Sequence, residues 1–514
     1  MSALPKLTAS DHHNPKKSKN HSQCMSWIQS LFSATQLNKG GCNQGYAGKG
    51  THEDPFVVDY GQDDRQDPMK LSKGRKWTIA MCQAVSFFTV TFGSSVYASG
   101  IPQVMESFDV SEEVATLGLA LYVLGFALGP ILWAPMSELY GRRLTFIVSY
   151  TVYVAFTVAA PCAPNITSLL VLRFFASAFG SSAQTNPAGM IADMFSMEER
   201  GLVMGIFAAC PFLGPALGPV IGGFVAQTKG WRWVLGVNAI LSGVVWIASM
   251  PVTSETYAPV ILRSRAKTLS RMTGSAHVSR LDAGKPPTTI SKELSVSFTR
   301  PWILLIREPI VLFTALYISI IYATLYMFFA AIPIVFGGTR GWSQGIVGLP
   351  FVGVMIGILL AVMACGVDNK SYVRMAAAAA AAGRAVEPEA RLRNAMIGSI
   401  VLPIGLFLFA WTTYPSVHWI APVVGATIFS CGLVMVFISL MSYLVDSYTV
   451  YVASALAANT VLRSFLATAF PLFTAQMYAG LGDQWASSIP AFPVVGCLPF
   501  PFLFYKYGPQ IRSK

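Results

Sequence analysis

Charged side chains stand at the ends of long apolar runs, where they can do ionic chemistry. The segment Ala134-Pro-Met-Ser-Glu138-Leu-Tyr-Gly141-Arg142-Arg143 places a carboxylate, a glycine turn and two arginines between two such runs. Asp193 ends a later run at the same level. Glu138, Arg142, Arg143 and Asp193 are therefore expected to form a conformational charge cluster, made in one state and broken in another. The plainer reading is a tight basic loop held on one side of a membrane.

Two arginines, Arg173 and Arg463, lie inside apolar runs. A guanidinium in hydrocarbon costs at least ~2.5 kcal/mol and usually meets a cavity or a partner. Arg173 is shallow enough to snorkel to the headgroups instead. Arg463 is deeper. It is expected to contact an anionic or polar substrate, to pair with Asp446, or to bond backbone carbonyls of a helix broken near Pro471. Gln184, Asn186 and Asn459 are the polar candidates for a substrate cavity. Tyr322, Tyr326 and Phe329 share one helical face and offer it an aromatic wall, although helix packing explains such a stripe equally well. No Asp or Glu falls in the middle of an apolar run. Proton chemistry would then run through Asp193 or Asp446, with Arg173 and Arg463 modulating it, or coupling would be weak. A cavity without carboxylates also disfavours strongly cationic cargo.

The elements that must position these residues are membrane helices. The chain has 514 residues, 54% hydrophobic and only 12% charged, against about 25% charged in a soluble domain. Twelve spans are expected, near 77–101, 114–136, 144–163, 168–193, 202–226, 231–251, 308–336, 345–365, 395–413, 419–443, 450–473 and 486–505. The predicted fold is an all-α polytopic membrane protein, with twelve transmembrane helices in two pseudo-symmetric six-helix bundles. Residues 1–76 read as a disordered cytoplasmic tail, 77–251 as the first half, 252–307 as a basic cytoplasmic linker, 308–507 as the second half and 508–514 as a cytoplasmic tail.

The net charge of +12 does not imply nucleic acid, because the basic residues fall in the loops. With the N-terminus inside, all 36 Lys and Arg are cytoplasmic except Lys229, Arg232 and Arg340 outside and Arg173 and Arg463 within spans. The 8 cysteines are scattered, with neither metal-ligand nor disulfide spacing. No set of residues reads as catalytic, no metal site is expected, and the alanine run at 376–382 carries no assigned role.

One span has an unusual composition. In Gly205–Gly223, GIFAACPFLGPALGPVIGG, Gly214, Gly218 and Gly222 recur every four residues, as do Pro211, Pro215 and Pro219. The glycines let a neighbouring helix approach closely. The prolines each remove an amide donor, which is tolerable where neighbouring helices satisfy the freed carbonyls.

The full pattern Gly205-x8-Gly214-x3-Gly218-Pro219-x2-Gly222-Gly223 resembles the antiporter signature of the major facilitator superfamily. Ala134–Arg143 is similar to its loop 2/3 motif, with Glu138 for the usual Asp, Ala134 for Gly and Leu139 for a basic residue. Leu169–Gly180 is similar to its span-four motif, whose arginine falls on Arg173. Leu444-Val-Asp-Ser-Tyr, Ala457-Ala-Asn-Thr-Val-Leu-Arg-Ser and Phe502-Leu-Phe-Tyr-Lys-Tyr-Gly resemble the fungal twelve-span drug:proton antiporters. The resemblance covers about 77–510. It implies export of small amphipathic molecules against a proton gradient by alternating access, with no cofactor. It also implies a monomer in the plasma membrane, with both termini cytoplasmic. Cytoplasmic clusters of the Glu138/Arg142/Asp193 type would stabilise the outward-open state. The competing expectation is an importer of a sugar or another small nutrient on the same fold.

Overall fold

Chains this apolar must satisfy their backbone internally in hydrocarbon, which leaves helices as the economical solution. The structure is a computed structural model and describes residues 46–512, apart from 52, 62, 63, 65, 284–289, 384–386 and 449–451. Spans 1 to 6 are Lys73–Phe108, Glu112–Tyr140, Arg142–Cys162, Ile166–Met194, Val203–Lys229 and Trp231–Val252. Spans 7 to 10 are Pro309–Thr339, Ile346–Ala379, Pro388–Trp411 and Ile420–Ser447. The remaining stretch, Ser454–Arg512, has 59 residues. At ~1.5 Å per residue it is almost three times the ~30 Å hydrocarbon thickness. Its helix also breaks at Gly482, with φ 74° and ψ 164°. It therefore supplies spans 11 and 12, and the described residues make twelve crossings.

Local chemistry sets several boundaries. Asp109 takes a left-handed φ of 50° and ends the extension of span 1. Ser111 then caps span 2 by accepting from the Val114 amide. Asn165 caps span 4 by accepting from the Ser168 amide at 2.8 Å. Span 5 belongs to a helix, Met197–Lys229, that runs unbroken through Pro211, Pro215 and Pro219.

Glycine contacts place the helices close together. A Cβ at Gly214 would lie 2.8 Å from the Phe92 nitrogen, and one at Gly218 would lie 2.8 Å from the Val96 nitrogen. At Gly222 it would lie 2.9 Å from the Val96 oxygen. These three glycines seat span 5 on span 1. Gly205 and Gly223 do not join them. Each lies nine residues from Gly214, about two and a half turns, and so on the opposite face. Gly205 has nothing within 4 Å of a Cβ, and Gly223 faces the Gln344 carbonyl at 2.8 Å. Similar close approaches join Gly125 and Gly129 to span 4, and Gly357 and Gly405 to span 10.

A second, smaller unit is formed by the described residues within 46–66 and 258–283. In it β1 (Phe56–Val58) pairs in parallel with β2 (His277–Ser279). Val58, Leu262, Ala266 and Leu269 form its core, and Arg265 makes a buried 2.6 Å ion pair with Asp64. The expectation of disorder is therefore corrected over the described part of the tail, and the expected basic linker 252–307 contains the helix Ala258–Thr273 and β2. Residues 46–66 are held by the helix Ala258–Thr273 and by β2, and span 1 already begins at Lys73. Residues 1–45 lie outside those described. The alanine run continues the helix of span 8, Pro350–Ala381, and the last helix reaches Arg512, into the expected C-terminal tail.

Candidate transport pathway

At the end of span 2 the chain reverses at Gly141, with φ 99°. A side chain there would also strike the Glu255 carboxylate. Glu255 accepts from the amides of Arg142 at 2.9 Å and Arg143 at 3.2 Å, and from those of Thr256 and Tyr257, both at 3.0 Å. Burial pushes its carboxyl above the usual range, against the pull of these amide bonds. The Arg142 guanidinium donates to Ser137 at 2.7 Å, lies 3.5 Å from Asp193 and sits over the Tyr257 ring. Arg142 and Asp193 thus meet as expected. Glu138 is exposed, and the carboxylate that organises the turn is Glu255, beyond span 6. The described partners of Arg142 come from spans 2 and 4 and from the segment just after span 6.

The second half repeats the plan. Arg391, in the first turn of span 9, pairs with Asp446, at the end of span 10, at 2.9 Å. It also donates to Asn369 and stacks on Tyr372. Glu389 receives a two-pronged bond from Arg512 at 3.0 and 2.9 Å. The expected pairing of Arg463 with Asp446 is corrected. Asp446 ends its helix, whereas Arg463 lies some three turns inside span 11.

The two span arginines differ sharply. Arg173 is 2% exposed. Its Nε donates to the Gly118 carbonyl at 2.7 Å and its Nη2 to the Gly93 carbonyl at 3.2 Å. The rings of Tyr97 and Tyr122 flank it at 4.1 and 4.8 Å. It clamps spans 1, 2 and 4 together inside the protein. Arg463 is 5% exposed. Tyr322 and Phe437 face it at 5.1 and 5.3 Å, and its Nε has no hydrogen-bond partner. One turn earlier, both amide atoms of buried Asn459 are also unpartnered.

These residues sit where the halves meet. Phe212 of span 5 packs on Phe437 at 4.9 Å and Tyr322 at 6.3 Å. Tyr322 contacts Tyr326, which contacts Phe329, each at 5.2 Å. The Tyr326 hydroxyl bonds Ser94 of span 1 at 3.0 Å. The aromatic stripe therefore faces the inside of the protein. Asn186 is buried with both amide atoms unpartnered, and the Gln184 carbonyl is likewise unpartnered.

At the end of the bundle away from the charge clusters, backbone and side-chain contacts join the halves. Gly348 rests against the Pro219 carbonyl, and Gly345 donates to Gln227 at 2.8 Å. Gln344 donates to the Ser99 carbonyl at 2.7 Å, and Gln476 to Glu113 at 2.8 Å.

Sequence reasoning missed Glu255, Arg391, Glu389 and Arg512. The internal repeat could have found Arg391, since Arg142 and Arg391 occupy corresponding places at the starts of spans 3 and 9. Glu255 carried no such signal, because only folding returns the end of span 6 to the loop after span 2.

Twelve crossings in two halves around a shared polar and aromatic interface define a membrane transporter rather than an enzyme. The chain belongs to the Major Facilitator Superfamily, whose sequence profile matches residues 84–503. It is 52% identical to "Efflux pump FUB11" of Gibberella moniliformis, over 94% of this chain and 81% of that one. It is 50% identical to "Major facilitator superfamily multidrug transporter mdrA" of Aspergillus fumigatus, over 91% and 77% of the two chains. In fold it is similar to the xylose transporter XylE of E. coli in a partially occluded inward open conformation. That match has a TM-score of 0.59 and 14% identity, and it covers 85% of this chain and 98% of the other.

Proposed function

We propose that this protein is a secondary transporter that exports small amphipathic molecules. The two halves expose a central site alternately to each side, and inward proton movement drives the cycle. Fungal relatives about half identical and named as efflux and multidrug pumps support the direction. The observation that carries the reading is the aromatic and polar cluster of Phe212, Tyr322, Tyr326, Phe437 and Arg463 between the halves. It lies beneath an outer seal of hydrogen bonds and glycine contacts, which can part without breaking an ion pair between the halves. Aromatic rings give broad contact to varied apolar bodies. The protein acts as a monomer in the plasma membrane, with both termini in the cytoplasm. The charge clusters at Asp193 and Asp446 hold the loops on which the halves pivot, and they take up the coupled protons.

The test is flux. Cells lacking the protein should retain more of an export substrate, and purified protein in liposomes should move it faster when a pH gradient is imposed. Lower uptake by the deleted cells would point to an importer. Equal rates with and without the gradient would remove proton coupling.

A further inference from the structure

A buried guanidinium normally has acceptors for its N–H groups, because leaving a charge in a dry interior without a partner is strongly unfavourable. Arg173 obeys this rule through two backbone carbonyls. Arg463 does not. It is nearly as buried, yet its described neighbours at the cation are two rings, Tyr322 and Phe437. Rings attract a cation through their faces but accept no in-plane N–H bond. Its Nε is orphaned, and so are the amide nitrogen and oxygen of Asn459, one turn away on the same helical face. Asp446, the carboxylate that ends span 10, is engaged by Arg391 and Tyr372.

We propose, building on the export reading, that Arg463 receives the carboxylate of a small amphipathic anion. The planar fork of an arginine matches a carboxylate with two parallel N–H bonds. Asn459 supplies a further donor and an acceptor beside it. The rings of Tyr322, Phe437 and Phe212 hold the apolar body of the same molecule. The cargo class is therefore a monocarboxylate on a compact apolar or aromatic skeleton.

Such a cargo also accounts for the lack of a mid-span carboxylate. A cation-binding site would need one as counter-ion, and an anion-binding site does not. An inside-negative potential of ~100 mV alone sustains a roughly 50-fold outward gradient of a monoanion.

The test uses three naphthalene probes that differ only in head group: the 2-carboxylate, the 2-carboxamide and the 2-methylamine. Binding to the purified full-length protein in nanodiscs is measured by calorimetry. The native protein should bind the carboxylate at least tenfold more tightly than the amide and more tightly still than the amine. Arg463→Ala should lose that preference while keeping its affinity for the amide, and without ligand it should melt no lower than the native protein. Arg463→Lys should retain part of the preference. Asn459→Ala should weaken carboxylate binding several-fold. The inference is overturned by equal affinity for carboxylate and amide, by no saturable carboxylate binding, by a preference that survives Arg463→Ala, or by unfolding of that variant. If the amide is bound and exported without any preference for carboxylate, the export reading stands and the anionic cargo falls.

Discussion

Arg173 and Arg463 carry the same side chain into the membrane and meet opposite surroundings. Arg173 makes two charge-assisted hydrogen bonds and two ring contacts. Such bonds contribute about 1.5–3 kcal/mol each, net of exchange with water. Arg173→Ala should therefore lower stability by about 2–4 kcal/mol, read as a drop in melting temperature in detergent. Transport should fall with it, and unchanged stability would refute the clamp. Glu255 predicts a pH effect. Its carboxyl is raised by burial, so the folded protein holds that proton more tightly than the unfolded chain. The unfolded chain then binds fewer protons, and stability falls as pH rises from the ordinary glutamate range through the raised folded value. Glu255→Gln should flatten that slope. A slope unchanged by the substitution would remove Glu255 from the account. The sequence located both arginines but could not separate them, because depth in a span says nothing about which carbonyls lie within reach.

At the scale of the helix, the glycine pattern of span 5 was legible in outline. The four-residue recurrence of Gly214, Gly218 and Gly222 marked one face, and the structure seats that face on span 1. The longer motif mixes faces, since Gly205 and Gly223 stand half a turn away. Gly218→Leu should abolish transport while the protein still reaches the membrane, because overpacking at this contact costs about 1–3 kcal/mol or more. Gly205→Leu should transport nearly normally, since a side chain there meets open space. Equal defects in the two variants, read by efflux assay, would show that close packing is not what the glycines supply. The pairing of residues 46–66 with 258–285 left no mark in the pattern. β1 and β2 are three residues each, too short for alternation to stand out, and their partners lie more than two hundred positions apart.

At the scale of the whole molecule, the proposed alternating access makes the seal between the halves the element that decides which side the central cluster faces. Gly348 admits the Pro219 backbone, so Gly348→Leu should keep the outer ends apart. A cysteine placed at Gln344 should then react faster with a membrane-impermeant thiol reagent than it does in the parent with Gly348 intact. No change in rate would mean that this contact does not control closure. The described partners in each charge cluster, Arg142 with Asp193 and Arg391 with Asp446, belong to one half, so in the proposed cycle each cluster stiffens its own half and loops. Their symmetry, Arg142 with Asp193 and Arg391 with Asp446, follows from the repeated six-span plan.

Hydropathy and charge determined the membrane class, the twelve crossings, the two halves and the orientation expected from basic loops. These depend on local composition, since each span must be apolar over its own length and each basic loop is sorted by its own charge. The tertiary structure decided which polar groups found partners. A carboxylate beyond span 6 closes a turn beyond span 2, and backbone carbonyls of spans 1 and 2 satisfy Arg173 but nothing comparable meets Arg463. Hydrogen bonding inside a dry protein is fixed by distances of about 3 Å between atoms far apart in the chain, and only packing of the helices sets those distances.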